Sequence, residues 1–206
     1  MMTATEERMN ICFCSDSNLT RFIPVVINSI LAKNSHHNIQ IHYIHNITEG
    51  YEVDLLRSYI EGFKNLTFKE YFKEWDYEYK GLAHVSVATM LRVFIPELIK
   101  EKRVLYLDID LIVDLDLSEL YGLNCGPTGI AIKNSLLQEW EHFFDDKSKI
   151  SGNAGIIMMD LDVLRENKFT EKCLDIHSRH PDRHDQYIIN MYADGNHAVL
   201  EPRFNI

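Results

Sequence analysis

Residues 104–116, VLYLDIDLIVDLD, constrain this chain more than any other stretch. Val104, Leu105, Tyr106 and Leu107 form a continuous apolar run, the pattern of a strand covered on both faces of a sheet. The run ends in Asp108-Ile109-Asp110. Like charges crowded at the mouth of a sheet raise each other's pKa unless a cation neutralises them. A hard divalent ion bound through oxygens satisfies both carboxylates, and Mg²⁺ or Mn²⁺ leaves positions open for phosphate oxygens. The stretch therefore predicts a metal–phosphate site at a sheet edge. A solvated strand end is the plain alternative.

The rest of the chain supplies a sheet for that strand to join. Residues 9–14 (MNICFC) read as a first strand, residues 22–32 as a helix with Pro24 in its first turn, and residues 39–45 as a half-buried strand. Residues 54–63 read as a helix, 66–68 as a short strand and 87–99 as a helix leading into the acidic strand. Strands alternating with helices predict βαβ units and a mainly parallel sheet. Further strands are expected at 128–132 and 155–159, and helices at 161–166, 170–178 and 185–192. The aromatic and acidic stretch 71–79 fits no element; a packing segment is the expected reading, with Trp75 as a sugar platform the rival one. With no repeat or linker, residues 1–206 read as one α/β domain. Ligands of such sheets gather at the carboxyl ends of strands, where the loop after Cys14 and the Asp pair both lie.

Composition narrows the partners. A formal net charge of −10 without Lys/Arg runs argues against nucleic acid, so a phosphate must be held by local arginines or a metal. Apolar runs such as 156–159 are too short to span a bilayer, and MMTATEERMN has no basic or apolar signal region. Cys12, Cys14, Cys125 and Cys173 show no zinc spacing, and Cys12 and Cys14 are expected to be reduced core residues of a cytoplasmic protein.

Several short motifs then fall into one order. ICFCSDSN, HVSVATMLRVFIPELI, VLYLDIDLIV, SGNAGIIMMDL, DRHDQYIIN and RFN together resemble glycosyltransferase family 8, over roughly residues 11 to 205. The resemblance implies a GT-A (nucleotide-diphospho-sugar transferase) fold, with one Rossmann-like mixed sheet flanked by helices. It also implies a metal-dependent, retaining transferase that moves a hexose or deoxyhexose from a UDP-sugar to a glycan or glycoconjugate hydroxyl. The nucleotide-binding half would cover about 9–115 and the sugar- and acceptor-binding half about 116–206.

Carried over position by position, Asp108 and Asp110 bind Mn²⁺ or Mg²⁺, with Asp108 also touching the ribose and Ile109 lying between them. The Cys14 backbone, Asp16 and Asn18 hold the uracil and ribose. Arg92 sits near the donor sugar or diphosphate, and His84 on the donor or acceptor side. Asn153, the Ala154 backbone, Asp185 and Gln186 hold the donor sugar. Gln186 lies beneath the anomeric carbon; the resemblance implies attack by the acceptor beside the departing phosphate, with Asp185 as a covalent nucleophile the alternative. The same residues carry plainer readings: Arg92 pairing with Glu97, Asn153 making a turn, Asp185 sitting in a helix's first turn, and Asp16 and Asn18 capping a helix. Asp114 and Asp116 read as solvated or capping, and His36 and His37 carry no assigned role.

The chain departs from the family pattern in two ways. It stops before the later histidine that usually completes the metal shell. Either it is a module excised from a longer, multidomain enzyme, a viral one included, or Asp108, Asp110, diphosphate and water complete the shell. His197 is a substitute to test, with a surface or strand histidine the plainer reading. Lys133 and Tyr187 stand where acceptor-binding acids are usual, so the acceptor should differ. The rival functions are a haloacid-dehalogenase-type phosphohydrolase, whose DxD normally follows the first strand, and a non-catalytic UDP-sugar-binding module.

Overall fold

A computed structural model describes residues 8–48, 50–80, 86–135, 143–146 and 148–205. The first half runs β1 (Met9–Ser15), α1 (Ser17–Thr20), α2 (Ile23–Asn34), β2 (Ile39–His45), α3 (Tyr51–Glu61) and β3 (Leu66–Phe72). A 3₁₀ helix (Val87–Phe94) then leads through α4 (Ile95–Leu98) into β4 (Arg103–Leu107). The second half runs α5 (Ser118–Tyr121), β5 (Ile130–Asn134), β6 (Gly152–Asp160), α6 (Leu161–Glu166), α7 (Phe169–Arg179), α8 (Asp185–Ala193) and β7 (Ala198–Val199).

The strands form one mixed sheet in the order β3-β2-β1-β4-β6-β5-β7. β3, β2, β1 and β4 are parallel, and β6 runs antiparallel to both β4 and β5. This single reversal matters for the site. It brings the start of β6 to the edge where β1 and β4 end, with Leu107 paired to Ile156 and the Asp108 N–H donating to the Gly155 carbonyl at 2.8 Å. The strand order also reverses direction between β1 and β4, the crevice where open α/β sheets bind ligands.

Helices cover both faces. Alternate residues of β1 and β4 feed two separate cores: Ile11, Phe13, Leu105 and Leu107 pack with α2 and α3, while Cys12, Cys14, Val104 and Tyr106 pack with the 3₁₀ helix, α6, α7 and α8. Val104 to Leu107 are each at most 1% exposed, as their unbroken apolar run requires. All four cysteines are free and buried.

Two expectations need correction, the half-buried reading of residues 39–45, which are all buried as β2, and the helix over 87–99. The α-helix expected over 87–99 is an eight-residue 3₁₀ helix followed by one α-turn. Pro96 explains the break: it has no N–H to donate, and its ring would clash with the Arg92 carbonyl four residues earlier in a continuous α-helix. The Ile95 N–H bonds that carbonyl instead. The unassigned 71–79 stretch begins inside β3, and Trp75 then packs edge-on against Phe94 and His177, with ring centres 6.0 and 5.1 Å away. It is a packing segment, and Trp75 does not line the cavity described next.

Candidate functional site

The 3₁₀ geometry decides what faces the sheet edge. At three residues per turn, Ser86, Thr89 and Arg92 stack on one stripe. The Ser86 hydroxyl donates to Asp16 Oδ2 at 2.5 Å, and Thr89 and Arg92 line a cavity of about 630 Å³. That cavity sits at the switch point between β1 and β4. Cys14, Asp108, Ile109 and Asp110 line it from those strands, and Asn153, Ala154, Asp185 and Gln186 from β6 and α8.

Arg92 is the hub. Its side chain is 4% exposed, and its guanidinium uses three nitrogens on four acceptors. Nε donates to the Thr89 carbonyl (2.9 Å), Nη2 to Asp108 Oδ1 (2.9 Å), and Nη1 to the Ala154 carbonyl (2.8 Å) and Asp185 Oδ2 (3.0 Å). The guanidinium carbon lies 4.2 Å from the Tyr106 ring centre. Burial opposes its charge, but Asp185, Tyr106 and Asp108 outweigh that and raise its pKa further. The Glu97 pairing is therefore not the one formed. Arg92 locks the DXD end of β4 to the start of α8, a planar fork that lysine's point charge does not reproduce.

Asp108 Oδ1 also accepts the Tyr106 hydroxyl at 2.6 Å. Burial pushes the Asp108 carboxyl above its ordinary range, with Arg92 and Tyr106 pulling the other way. Its second oxygen faces Gly155, where an added Cβ would lie 3.0 Å from Oδ2. A glycine here leaves that oxygen a bare approach. Asp110 is exposed on the same cavity. Two carboxylates offering hard oxygens, one approached through a cradle that only hydrogen fills, fit a divalent cation with phosphate oxygens completing its shell.

The opposite side is held as tightly. The Ala154 N–H donates to Gln186 Oε1 at 3.2 Å. Asn190 clamps β6 to α8, accepting from the Gly152 N–H (2.6 Å) and donating to the Gly152 carbonyl (2.8 Å) and the Gln186 carbonyl (2.7 Å). Asn153 Oδ1 takes the Gly155 N–H (2.9 Å) and Asn205 Nδ2 (3.0 Å), so the turn reading of Asn153 holds beside its place on the cavity.

Not every expected residue joins this group. Asp16 lies in a neighbouring depression with Asn46 and Tyr51, and caps α1 by accepting the Asn18 N–H at 3.0 Å. Asn18 is exposed and lines neither hollow. His84 lies outside the described residues. His197 is buried beside Asn134 (2.9 Å) and does not line the cavity, so it does not replace the family's third metal ligand. Lys133 Nζ donates to the Asn205 carbonyl.

Sequence reasoning missed Tyr106, Thr89, His184 and Asn190. Tyr106 was findable, because residues two apart share a strand face and Asp108 follows it by two. It also missed an apolar rim: Leu19, Phe22, Val25 and Ile112 line the cavity and stay 38%, 42%, 53% and 66% exposed.

Comparison with known proteins agrees with this geometry. A family model for glycosyl transferase family 8 matches residues 10–206. General stress protein A of Bacillus subtilis is 29% identical over 97% of this chain and 74% of its own length. The glycosyltransferase GlyE of Streptococcus pneumoniae is 25% identical over 95% of this chain and 47% of its own length, so the chain spans about half of that relative. Among solved structures, the galactosyltransferase LgtC, crystallised with donor and acceptor sugar analogues, superposes with a TM-score of 0.74 at 20% identity, over 88% of this chain and 69% of that one. The shared architecture is the GT-A fold.

Proposed function

Because the chain belongs to glycosyl transferase family 8, we propose that it moves a hexose or deoxyhexose from a UDP-sugar to a glycan or glycoconjugate hydroxyl, with retention and with Mn²⁺ or Mg²⁺ as cofactor. The observation that carries this reading is Asp108 and Asp110 facing one cavity at the β1–β4 switch point, across from Asp185 and Gln186. Residues 1–206 would act as one catalytic module in the cytoplasm, the free buried cysteines suiting a reducing compartment.

Asp108 Oδ2 and Asp110 would hold the cation. When bound, it would stabilise charge on the departing diphosphate as a Lewis acid, worth several kcal/mol. Arg92 keeps Asp108 and Asp185 at a fixed separation, so the donor meets a preorganised wall. The same clamp bears on the choice of mechanism. Asp185 Oδ2 is committed to a buried guanidinium, which withdraws its electron density and makes it a poor covalent nucleophile. This supports attack by the acceptor on the face the leaving group departs from, with Asp185 and Gln186 orienting the sugar. A phosphohydrolase is disfavoured because its DxD belongs after the first strand, whereas this pair follows the fourth.

The test is a screen of UDP-sugars for Mn²⁺-dependent hydrolysis and transfer. Asp185→Ala and Gln186→Ala should each cut turnover about 100-fold or more, as loss of a preorganised contact does, while UDP affinity stays within about twofold. Equal loss of both would remove their assigned role. UDP binding without any turnover would favour a non-catalytic binding module.

A further inference from the structure

Two histidines and an acid that the sequence left without a shared role converge at the other end of the sheet. His36 Nε2 lies 3.0 Å from Asp116 Oδ2, and His37 Nε2 lies 3.5 Å from Asp116 Oδ1. All three ligand atoms fall within 4.8 Å of one another, and among the described residues they are the one His/Cys/Asp/Glu group that does so. The two imidazoles sit 4.0 Å apart at 43°.

The convergence is built, not accidental. Asn34, fully buried at the end of α2, donates to the Leu115 carbonyl (3.0 Å) and accepts the Leu117 N–H (2.7 Å), gripping both neighbours of Asp116. Its own carbonyl accepts the His37 N–H at 3.1 Å. Asn65 Nδ2 holds the Ser35 and His37 carbonyls from the far side (3.2 and 3.1 Å). Asp116 Oδ1 accepts the Ser118 N–H (2.8 Å) and hydroxyl (2.5 Å), which fix the orientation of its carboxylate. Carboxylates that ligate metals are themselves usually held by hydrogen bonds of this kind.

We propose that His36, His37 and Asp116 form a transition-metal site, filled by Zn²⁺ with water as the fourth ligand. Two imidazoles and one carboxylate select zinc over Mg²⁺ or Mn²⁺, which prefer all-oxygen shells. The site is distinct from the Asp108/Asp110 pair. It lies near the start of β1 and β4, whereas that pair follows the end of β4, roughly 20 Å away at strand rise. His37 Nε2 also lies 2.8 Å from the Ser118 hydroxyl, which donates to Asp116 Oδ1. Surface ion pairs alone contribute little, so the cluster's value lies in the ion. Zinc there would staple α2 to residues 111–118, the segment that continues from the DXD motif and whose Val113 N–H already bonds Ser29 Oγ (2.9 Å).

The test uses chelator-stripped Asp110→Ala protein, so that the cavity pair cannot contribute, titrated calorimetrically with ZnCl₂. One zinc per chain with a dissociation constant below about 10 µM is expected, weakened at least tenfold by adding His36→Ala and His37→Ala, and unaffected by millimolar Mn²⁺. Zinc should raise the thermal midpoint of the parent and leave that of the triple variant unmoved. His36→Ala alone, at a 58% exposed side chain, guards against misfolding of the triple variant and should weaken binding by itself. Equal affinity with and without the histidines, or millimolar affinity in the parent, overturns the proposal. These readouts do not depend on glycosyl transfer.

Discussion

The two walls of the cavity are built on opposite principles. On the wall formed by β4, the 3₁₀ helix and α8, Arg92 engages four acceptors and Asp108 accepts two donors, with little solvent access to the guanidinium. On the rim formed by α1, α2 and the segment after the DXD, Leu19, Phe22, Val25 and Ile112 expose apolar surface that nothing among the described residues covers. The first wall is preorganised before any ligand arrives, which is what the proposed transfer would need at its reacting centre. The second is apolar and open to solvent. Under the proposed function, chemistry would fall to the first wall and recognition to the second.

Breaking the polar wall should have the largest effect. Arg92→Ala leaves Asp108 and Asp185 without their buried partner, and urea denaturation should register a loss of about 3–5 kcal/mol. Arg92→Lys should recover part of the stability and little of the transfer, since one ammonium cannot serve both carboxylates in the plane. If Arg92→Ala costs under 1 kcal/mol, the wall is not held as described.

A buried group remote from the cavity sharpens the comparison by showing what burial alone does. His42 is fully buried between Tyr71 and Asn10, and burial lowers its pKa to about 4. The unfolded chain takes up the proton first, so stability is complete above about pH 6.5 and falls as the pH drops towards 4. Urea titrations should show about 2 kcal/mol lost between pH 6.5 and 5, and His42→Gln should flatten that slope. An unchanged slope would relocate the acid sensitivity to other groups.

Gly155→Ala probes the cradle beside Asp108. Its methyl would press on Asp108 Oδ2 and Asn153 Oδ1 at 3.0 and 3.1 Å. Mn²⁺ affinity should fall about tenfold, equivalent to about 1.4 kcal/mol, with the circular dichroism spectrum retained. The smallest effect belongs to the rim. Phe22→Ser and Val25→Ser should change stability by no more than about 0.5 kcal/mol while raising the KM for donor or acceptor a few fold; an effect on kcat alone would merge the two walls.

The fold was legible for a physical reason: a strand covered on both faces needs mostly apolar residues, so β4 and most of β1 announce themselves as apolar runs. By contrast β2, buried throughout, carries Gln40, His42 and His45 and reads as half-buried. The DXD pair was legible because two acids at the end of such a run have no packing explanation. The 3₁₀ helix was not, since its apolar spacing resembles an α-helix and the deciding event is the clash at Pro96. Arg92 was identified, but its true partners, 16 and 93 residues away in sequence, follow from strand order and the reversal of β6, which periodicity does not encode. The same holds for His36, His37 and Asp116, which read as a polar loop and a solvated acid until Asn34 joins them. For Asp16 and Asn18 the capping reading is the one seen, and their contact with a nucleotide stays a proposal.

The central claim is that Asp108 and Asp110 hold a divalent ion against a nucleotide diphosphate. Calorimetric titration of UDP with and without Mn²⁺, in the parent and in Asp110→Ala, tests it most directly. The account predicts that Mn²⁺ tightens UDP binding at least tenfold in the parent and has no effect in the variant, whose exposed substitution leaves stability unchanged. Binding of UDP that ignores Mn²⁺, or a manganese effect that survives Asp110→Ala, would contradict it.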